Sequence, residues 1–289
     1  MRYQILKGEK RFFTVENETV GGLLFNITHN DVAAINPAAL AASRITVYEI
    51  LDGKKTVQLL PTMTLQDLHG IQFCNNAPLS EKTFEILREF DFGASFQQFK
   101  FNFGTPLNLK NGKALHVEVE NGGFGALTTF TIDVETIPVI GLQQFIPVIE
   151  RIDLDSLRNE QDLNLGSDVR NIVYIPSPTD GVAELESLDI KSDKLNYEMT
   201  GYGVYSQLQD TTEPNTDYQN TPVYFLNAHV TVNNLRMRVK FGSAKPNRKL
   251  YVVRHIVTPE VVNTLMVKAH EHREENMAHI KTSSCDCKH

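Results

Sequence analysis

The sequence predicts an all-β fold built twice over, as two sandwich units in tandem, and three observations predict it. Apolar and polar residues alternate with period two through much of the 289-residue chain. Two segments, LHVEVENGGFGALTTFTIDVETIP (115–138) and LRMRVKFGSAKPNRKLYVVRHIVTP (235–259), follow one plan: charged residues alternating with apolar ones, a Gly-rich middle, a β-branched run and a closing proline. Helical patterns are few and short.

The elements follow in chain order. DVAAINPAALAAS (31–43) is Ala-rich, but Pro37 limits it to short helical pieces. RITVYEILDGKKTVQLL (44–60) reads as two strands around the hairpin dipeptide Asp52-Gly53. SEKTFEILREF (80–90) reads as a helix, with Ser80 as N-cap and Phe84, Ile86, Leu87 and Phe90 supplying its apolar positions. In FQQFKFNF (96–103), Phe99, Phe101 and Phe103 share one strand face. Leu115, Val117 and Val119 point one way and His116, Glu118 and Glu120 the other. GGFGAL (122–127) lacks the lysine of a phosphate loop and lies between strands, so it is a turn.

TIPVIGLQQFIPVI (136–149) is a Pro-rich crossover, too short and too interrupted to span a membrane. LESLDIKSDKLNYEMTGYGVYS (185–206) reads as a second hairpin, turning near Ser192-Asp193, with GYGVYS a strand-end or hairpin element. YFLNAHVTV (224–232) places Tyr224, Leu226, Ala228, Val230 and Val232 on one face. Thr258 is then a helix cap, Pro259 suits the first helical position, and Val261, Val262, Leu265, Met266 and Ala269 form an apolar stripe. The polar tail HEHREENMAHIKTSSCDCKH follows.

Aligning Leu115 with Leu235 keeps the alternation in phase and brings Pro138 within one residue of Pro259. The second run, with Ile132 and Val134 inward, is clean in the first copy and less regular in KLYVVRHIV. Each copy spans roughly 110–140 residues, room for about eight strands. Such a unit must close or stack to hide its edges, as a jelly roll or another Greek-key sandwich does. The fold class is therefore all-β: two tandem eight-stranded jelly rolls with short helices and a C-terminal helix. The expected divisions are 1–140 for the first jelly roll, 141–257 for the second, and 258–289 for the C-terminal helix and tail. The copies invert charge: Glu118, Glu120, Asp133 and Glu135 are placed on outward faces of the first, Arg236, Arg238, Lys240 and Arg254 on those of the second. In a ring of subunits, acid would then face base; the plainer reading is that exposed strand faces carry charge.

Composition narrows the function. A net charge of −7 and the lack of a long basic stripe argue against a general nucleic-acid binder. Three cysteines, Cys74, Cys285 and Cys287, form no disulfide framework and suit a reducing compartment. The opening MRYQILKGEKRFF has no signal-peptide core, so the expectation is a soluble chain, and the sequons at Asn17 and Asn26 are read as chance.

Tandem β-sandwich halves of this size, short connections and a helical C-terminal segment resemble the double jelly-roll major capsid proteins of icosahedral bacteriophages with an internal membrane, of the corticovirus and Flavobacterium lipid phage type. The resemblance covers most of residues 10–257 and is one of architecture, without a signature motif. It implies a homotrimer forming a pseudo-hexameric capsomer, low towers on the outer face, and a helix at 258–280 touching a neighbour or the membrane side. It further implies a virion location after folding in the host cytoplasm. The partners would be other copies of the chain, other virion proteins and the internal membrane, with no specific nucleic acid. A minor vertex or spike protein is the alternative within a virion.

No catalytic residue and no cofactor is expected: G-x-S-x-G, Walker and H-E-x-x-H motifs are absent. Tail residues His270, His272, His279, Cys285, Cys287 and His289 are zinc-type ligands in spacings unlike the usual ones, so a solvated tail is preferred. Asp153, Asp155, Asp162 and Asp168 are candidate oxygen ligands for a structural calcium, without an EF-hand pattern. The competing class is a two-sandwich carbohydrate-active enzyme or lectin, with Tyr197, Glu198, Tyr202 and Tyr205 as the densest candidate cluster. A cupin is disfavoured because the H-x-H, His270 to His272, falls on the predicted helix.

Overall fold

Period-two alternation becomes sixteen antiparallel strands and two short helices in a computed structural model, which describes residues 2–30, 40–76, 96–125, 127–177, 184–206, 222–259, 261–263 and 265–267. The first eight strands are β1 (Arg2–Ile5), β2 (Lys10–Glu16), β3 (Thr19–His29), β4 (Arg44–Leu51), β5 (Lys54–Thr64), β6 (Phe96–Asn108), β7 (Lys113–Glu120) and β8 (Phe130–Pro138), with helix α1 (Leu65–Asn76) after β5. The second eight are β9 (Ile146–Asp153), β10 (Glu160–Gly166), β11 (Val169–Ile175), β12 (Leu185–Lys191), β13 (Asn196–Thr200), β14 (Val223–Val232), β15 (Leu235–Phe241) and β16 (Lys249–Ile256), with helix α2 (Gly201–Ser206) after β13.

The first unit pairs its strands as β1-β8-β3-β6 and β2-β7-β4-β5. The second pairs them as β9-β16-β11-β14 and β10-β15-β12-β13. Counting strands from the start of each unit, both orders are 1-8-3-6 and 2-7-4-5. That is the jelly roll in its complete form, with the helix in the same place each time, so the chain is a double jelly roll. The opening repeat corresponds to the seventh and eighth strands of each copy.

Local chemistry explains the turns. Asp52 and Gly53 adopt φ of 50° and 76°, and Asn111 and Gly112 adopt 57° and 82°. Two successive positive φ values match the twist of a tight hairpin, and Asn, Asp and Gly accept them most readily. The two turns nest: Asp52 N–H donates to the Gly112 carbonyl at 3.0 Å, and a Cβ on Gly112 would lie 2.3 Å from Asp52 Oδ1.

Inward side chains close a core in each unit. Phe25 stacks on Phe99 at 4.6 Å in the first, and Tyr174 on Phe225 at 4.7 Å in the second. Strand β15 alternates buried and exposed along its whole length. The irregular KLYVVRHIV has a physical cause: Leu250 and Val252 enter the second core, while Tyr251 and Val253 join the first, so β16 is apolar on both faces.

Four expectations need correction or placement. The segment 224–232 does not keep one face inward. The β11–β14 ladder slips between Ile172 and Val173, so Phe225 and Leu226 are both buried and Val230 is 58% exposed. GYGVYS is helix α2, not a hairpin element: Thr200 Oγ1 caps it by accepting from Gly203 N–H at 3.2 Å, and Gly201 sits where a Cβ would strike the Leu185 carbonyl. The predicted helix at 80–90 and residues 31–39 lie outside the described residues. At the C-terminal end, Thr258 Oγ1 accepts from Val261 N–H at 3.4 Å, and Pro259, 261–263 and 265–267 are helical.

Helix α1 escapes sequence reading because it is buried on several sides. Leu65, Leu68 and Ile71 are inaccessible, and so nearly are Asp67, His69 and Gln72, so no polar stripe marks a solvent face. Gly70 lets it approach the second unit: a Cβ there would sit 2.8 Å from Pro222 Cγ and 3.1 Å from Ile175 Cδ1. Gly70→Val is therefore expected to lower stability by about 1–3 kcal/mol through overpacking, read as a lower urea midpoint.

Candidate functional site

Beyond its two inner cores the molecule buries a third surface, the seam where the units meet. Thr64 starts it, its Oγ1 accepting from Asp67 N–H at 3.0 Å and so capping α1. Asp67 thereby stands in the first helical turn, 3% exposed, where the helix dipole favours an anion. Its Oδ2 accepts from Lys249 Nζ at 2.8 Å and from the Tyr251 hydroxyl at 2.7 Å, both on β16 of the other unit. Burial first, and then the Asp67 charge and hydrogen bond, drive the Tyr251 pKa far up, so the phenol remains a donor. Around this polar knot Ile149, Val173, Tyr251 and Val253 pack into the first unit's core. Asn102 N–H donates to Gln72 Oε1 at 2.8 Å, tying α1 back to β6.

Farther along the seam is a cavity of about 200 Å³, walled by residues including Phe101, Phe103, Ile149, Arg170, Asn171 and His255. His255 stacks on Phe145, in the crossover, with ring centroids 3.7 Å apart. Burial, and secondarily the Arg170 charge, push the His255 pKa from its ordinary 6.5 down to about 4. Arg170 Nη1 is buried and has no hydrogen-bond partner among the described residues.

The first unit has a corresponding outer face on β3 and β8, but its chemistry is polar. Asn26 Nδ2 donates to Glu135 Oε1 at 2.9 Å, Gln98 Nε2 donates to Asn26 Oδ1, and the Arg2 guanidinium binds the Asp133 carboxylate. Asp133 thus stands on the outer face, as the alternation implied, but is buried beneath Arg2. Most of the other singled-out charges face an opposite charge in their own unit. Glu118 accepts from Lys55 at 2.9 Å, which holds its carboxyl below the usual range, and Glu120 lies opposite Lys10 and Arg44. Arg238 pairs with Glu160, Lys240 with Glu186 at 2.6 Å, and Arg254 with Glu150 at 2.8 Å. Much of the opposite charge of the two copies is thus paired within each copy.

The candidate sugar-site cluster does not converge. Tyr197 turns inward, its hydroxyl donating to the Phe225 carbonyl and its pKa pushed up to about 12 by burial. Glu198, the next residue in the strand, is exposed, and Tyr202 stands 71% exposed on α2. The Tyr205 side chain lies outside the described residues. Of the candidate calcium ligands, Asp153 binds Arg151, Asp155 accepts from Leu157 N–H, Asp162 lies 3.7 Å from Arg238, and Asp168 occupies a turn with φ of 61°. Among the described residues no group of three or more His, Cys, Asp or Glu is placed to hold a metal. His270, His272, His279, Cys285, Cys287 and His289 lie outside the described residues.

Sequence reasoning missed Asp67, Lys249, Tyr251, Arg170 and His255. One signal was present: Leu250-Tyr251-Val252-Val253 breaks period two, as a strand buried on both faces must.

No family profile and no curated protein matches the chain. Among solved structures it is similar to the major capsid protein P2 from Bacteriophage PM2, at 11% identity and a TM-score of 0.48, covering 90% of this chain and 99% of that one. It is also similar to a capsid chain of PBCV-1 virus, at 7% identity, TM-score 0.45 and coverage of 88% and 93%. PNGase F, a glycosylasparaginase from Flavobacterium meningosepticum, shows 10% identity, a TM-score of 0.29 and coverage of 89% and 97%.

Two outcomes follow from the seam. Asp67→Asn leaves Lys249 without its counter-charge and is expected to cost about 3 kcal/mol in chemical denaturation. The triple variant Asp67→Leu, Lys249→Met, Tyr251→Phe should recover much of that loss. His255 is held neutral in the folded state, so only the unfolded chain takes up its proton between pH 6.5 and about 4. Stability should fall as pH drops through that window. His255→Phe, which keeps the ring stack, should flatten this part of the profile.

Proposed function

We propose that the protein is a virion shell subunit, a major capsid protein acting by self-assembly. The observation that carries this reading is that one chain holds two units of identical strand order side by side, each with a helix after its fifth strand. Strands β5 and β6 and helix α1 of the first unit together face the outer side of the second unit's β9-β16-β11-β14 sheet. Helix α2 occupies the matching place after β13, anchored on the second unit by buried Val204. In a neighbouring copy it would meet the first unit's outer face, where Asn26, Gln98, Asp133 and Glu135 lie. Such a head-to-tail contact closes into a ring when its rotation is a simple fraction of a turn. Three chains would set six similar units around one axis, the pseudo-hexameric capsomer of an icosahedral phage shell.

In this reading residues 1–140 and 141–257 are the two wall-forming domains, and 258–289 is an assembly arm. Met266 and Val267, 65% and 57% exposed, would contact a neighbouring subunit or the internal membrane. None of the described helices is long and apolar enough to cross that membrane. The chain would fold in the host cytoplasm and reside in the virion, beside other virion proteins.

Light scattering on the purified chain should give three times the 32.6 kDa subunit mass. Glu135→Arg, on the first unit's outer face, should yield a folded monomer. A wild-type chain that stays monomeric at every concentration overturns the proposal. Major and minor shell roles are separated by copy number in purified particles.

A further inference from the structure

The seam cavity combines features that neither unit has alone. One part of its wall is apolar, built from Leu60, Phe101, Phe103 and Ile149, and another carries Arg170, with Asn171 and His255 beside it. Among the described residues no aspartate or glutamate lines it. Arg170 Nη1 is nevertheless buried without an acceptor among the described residues, and a buried guanidinium donor left unpaired is costly. Gln72 Nε2 on α1 is a second buried donor with no acceptor among the described residues, and its Oε1 is already engaged by Asn102 N–H, a cavity-wall residue. His255 is neutral near pH 7, so it adds no second full charge. The free valence of the site is thus one positive charge and its N–H donors, next to an apolar pocket.

We propose that the seam cavity binds a small monocarboxylate with an apolar body, its carboxylate held by Arg170 and its hydrocarbon part against Phe101 and Phe103. A guanidinium presents parallel N–H donors that match a carboxylate. A phosphate dianion would bring more charge than one arginine neutralises, into walls that cannot solvate it. The volume of about 200 Å³ suits a ligand with one ring or a short chain, since an apolar cavity of ~150 Å³ accepts benzene. Because strands of both units line it, an occupant would bridge them and stabilise their mutual orientation.

Benzoate is the probe and benzyl alcohol its uncharged counterpart, both titrated into the full-length protein by calorimetry at pH 7. Benzoate should bind at least ~10-fold more tightly, as a charge-assisted bond requires. Arg170→Gln should abolish that preference without lowering the thermal midpoint of the unliganded protein, because it removes an unpaired charge. Arg170→Lys should keep part of the preference. Equal binding of the two compounds to the wild type, no binding of benzoate at millimolar concentration, or an Arg170→Gln variant that binds benzoate as the wild type does would each overturn the proposal.

Discussion

The structure depends on one surface being buried twice. The β9-β16-β11-β14 sheet turns one face to its own core and the other to the first unit, so its central strands must be apolar on both sides. Each large apolar side chain so placed contributes about 1.5–3 kcal/mol relative to exposure. Asp67 supplies direction: its two donors come from alternate residues of one strand, Lys249 and Tyr251, so the helix can meet the strand in only one register. An apolar seam alone would hold the units together. The buried carboxylate, costly to leave unpaired, selects one orientation among the several that hydrophobic contact would allow.

That constraint explains why two units of the same topology have diverged in chemistry. The second unit's outer face is apolar where β5, β6 and α1 of the same chain pack against it. The first unit's equivalent face carries Asn26, Gln98, Asp133 and Glu135, joined by hydrogen bonds and the Arg2 pair. A permanent contact tolerates an apolar surface; a contact formed only on assembly calls for a polar one, which limits premature aggregation. Charge follows the same economy, most of the prominent acids and bases being neutralised within their own units.

The crossover shows how the two roles are joined. Gln144 N–H donates to Thr105 Oγ1 at 3.0 Å, and Phe145 then stacks on His255, so the linker runs from the first unit onto the second with its backbone and a ring held. It thereby helps shape the mouth of the seam, where an arginine and a neutral histidine face an apolar pocket.

The sequence by itself determined the strands, several turns and the duplication, because these rest on local rules. Period two places Leu115, Val117 and Val119 in a core, and Asp52-Gly53 accepts the left-handed angles of a tight hairpin. The inverted charges were equally visible, but their partners were not, since Arg2 reaches Asp133 across 131 positions of chain. Only the tertiary structure decided which sheet would be buried on both faces, that Leu65–Asn76 would be a helix, and that Asp67 would meet Lys249 and Tyr251 more than 180 residues away. A helix enclosed on several sides has no amphipathic stripe to announce it, and a long-range polar contact leaves no period in the sequence. Both exist because two units pack together, and no local pattern encodes that event.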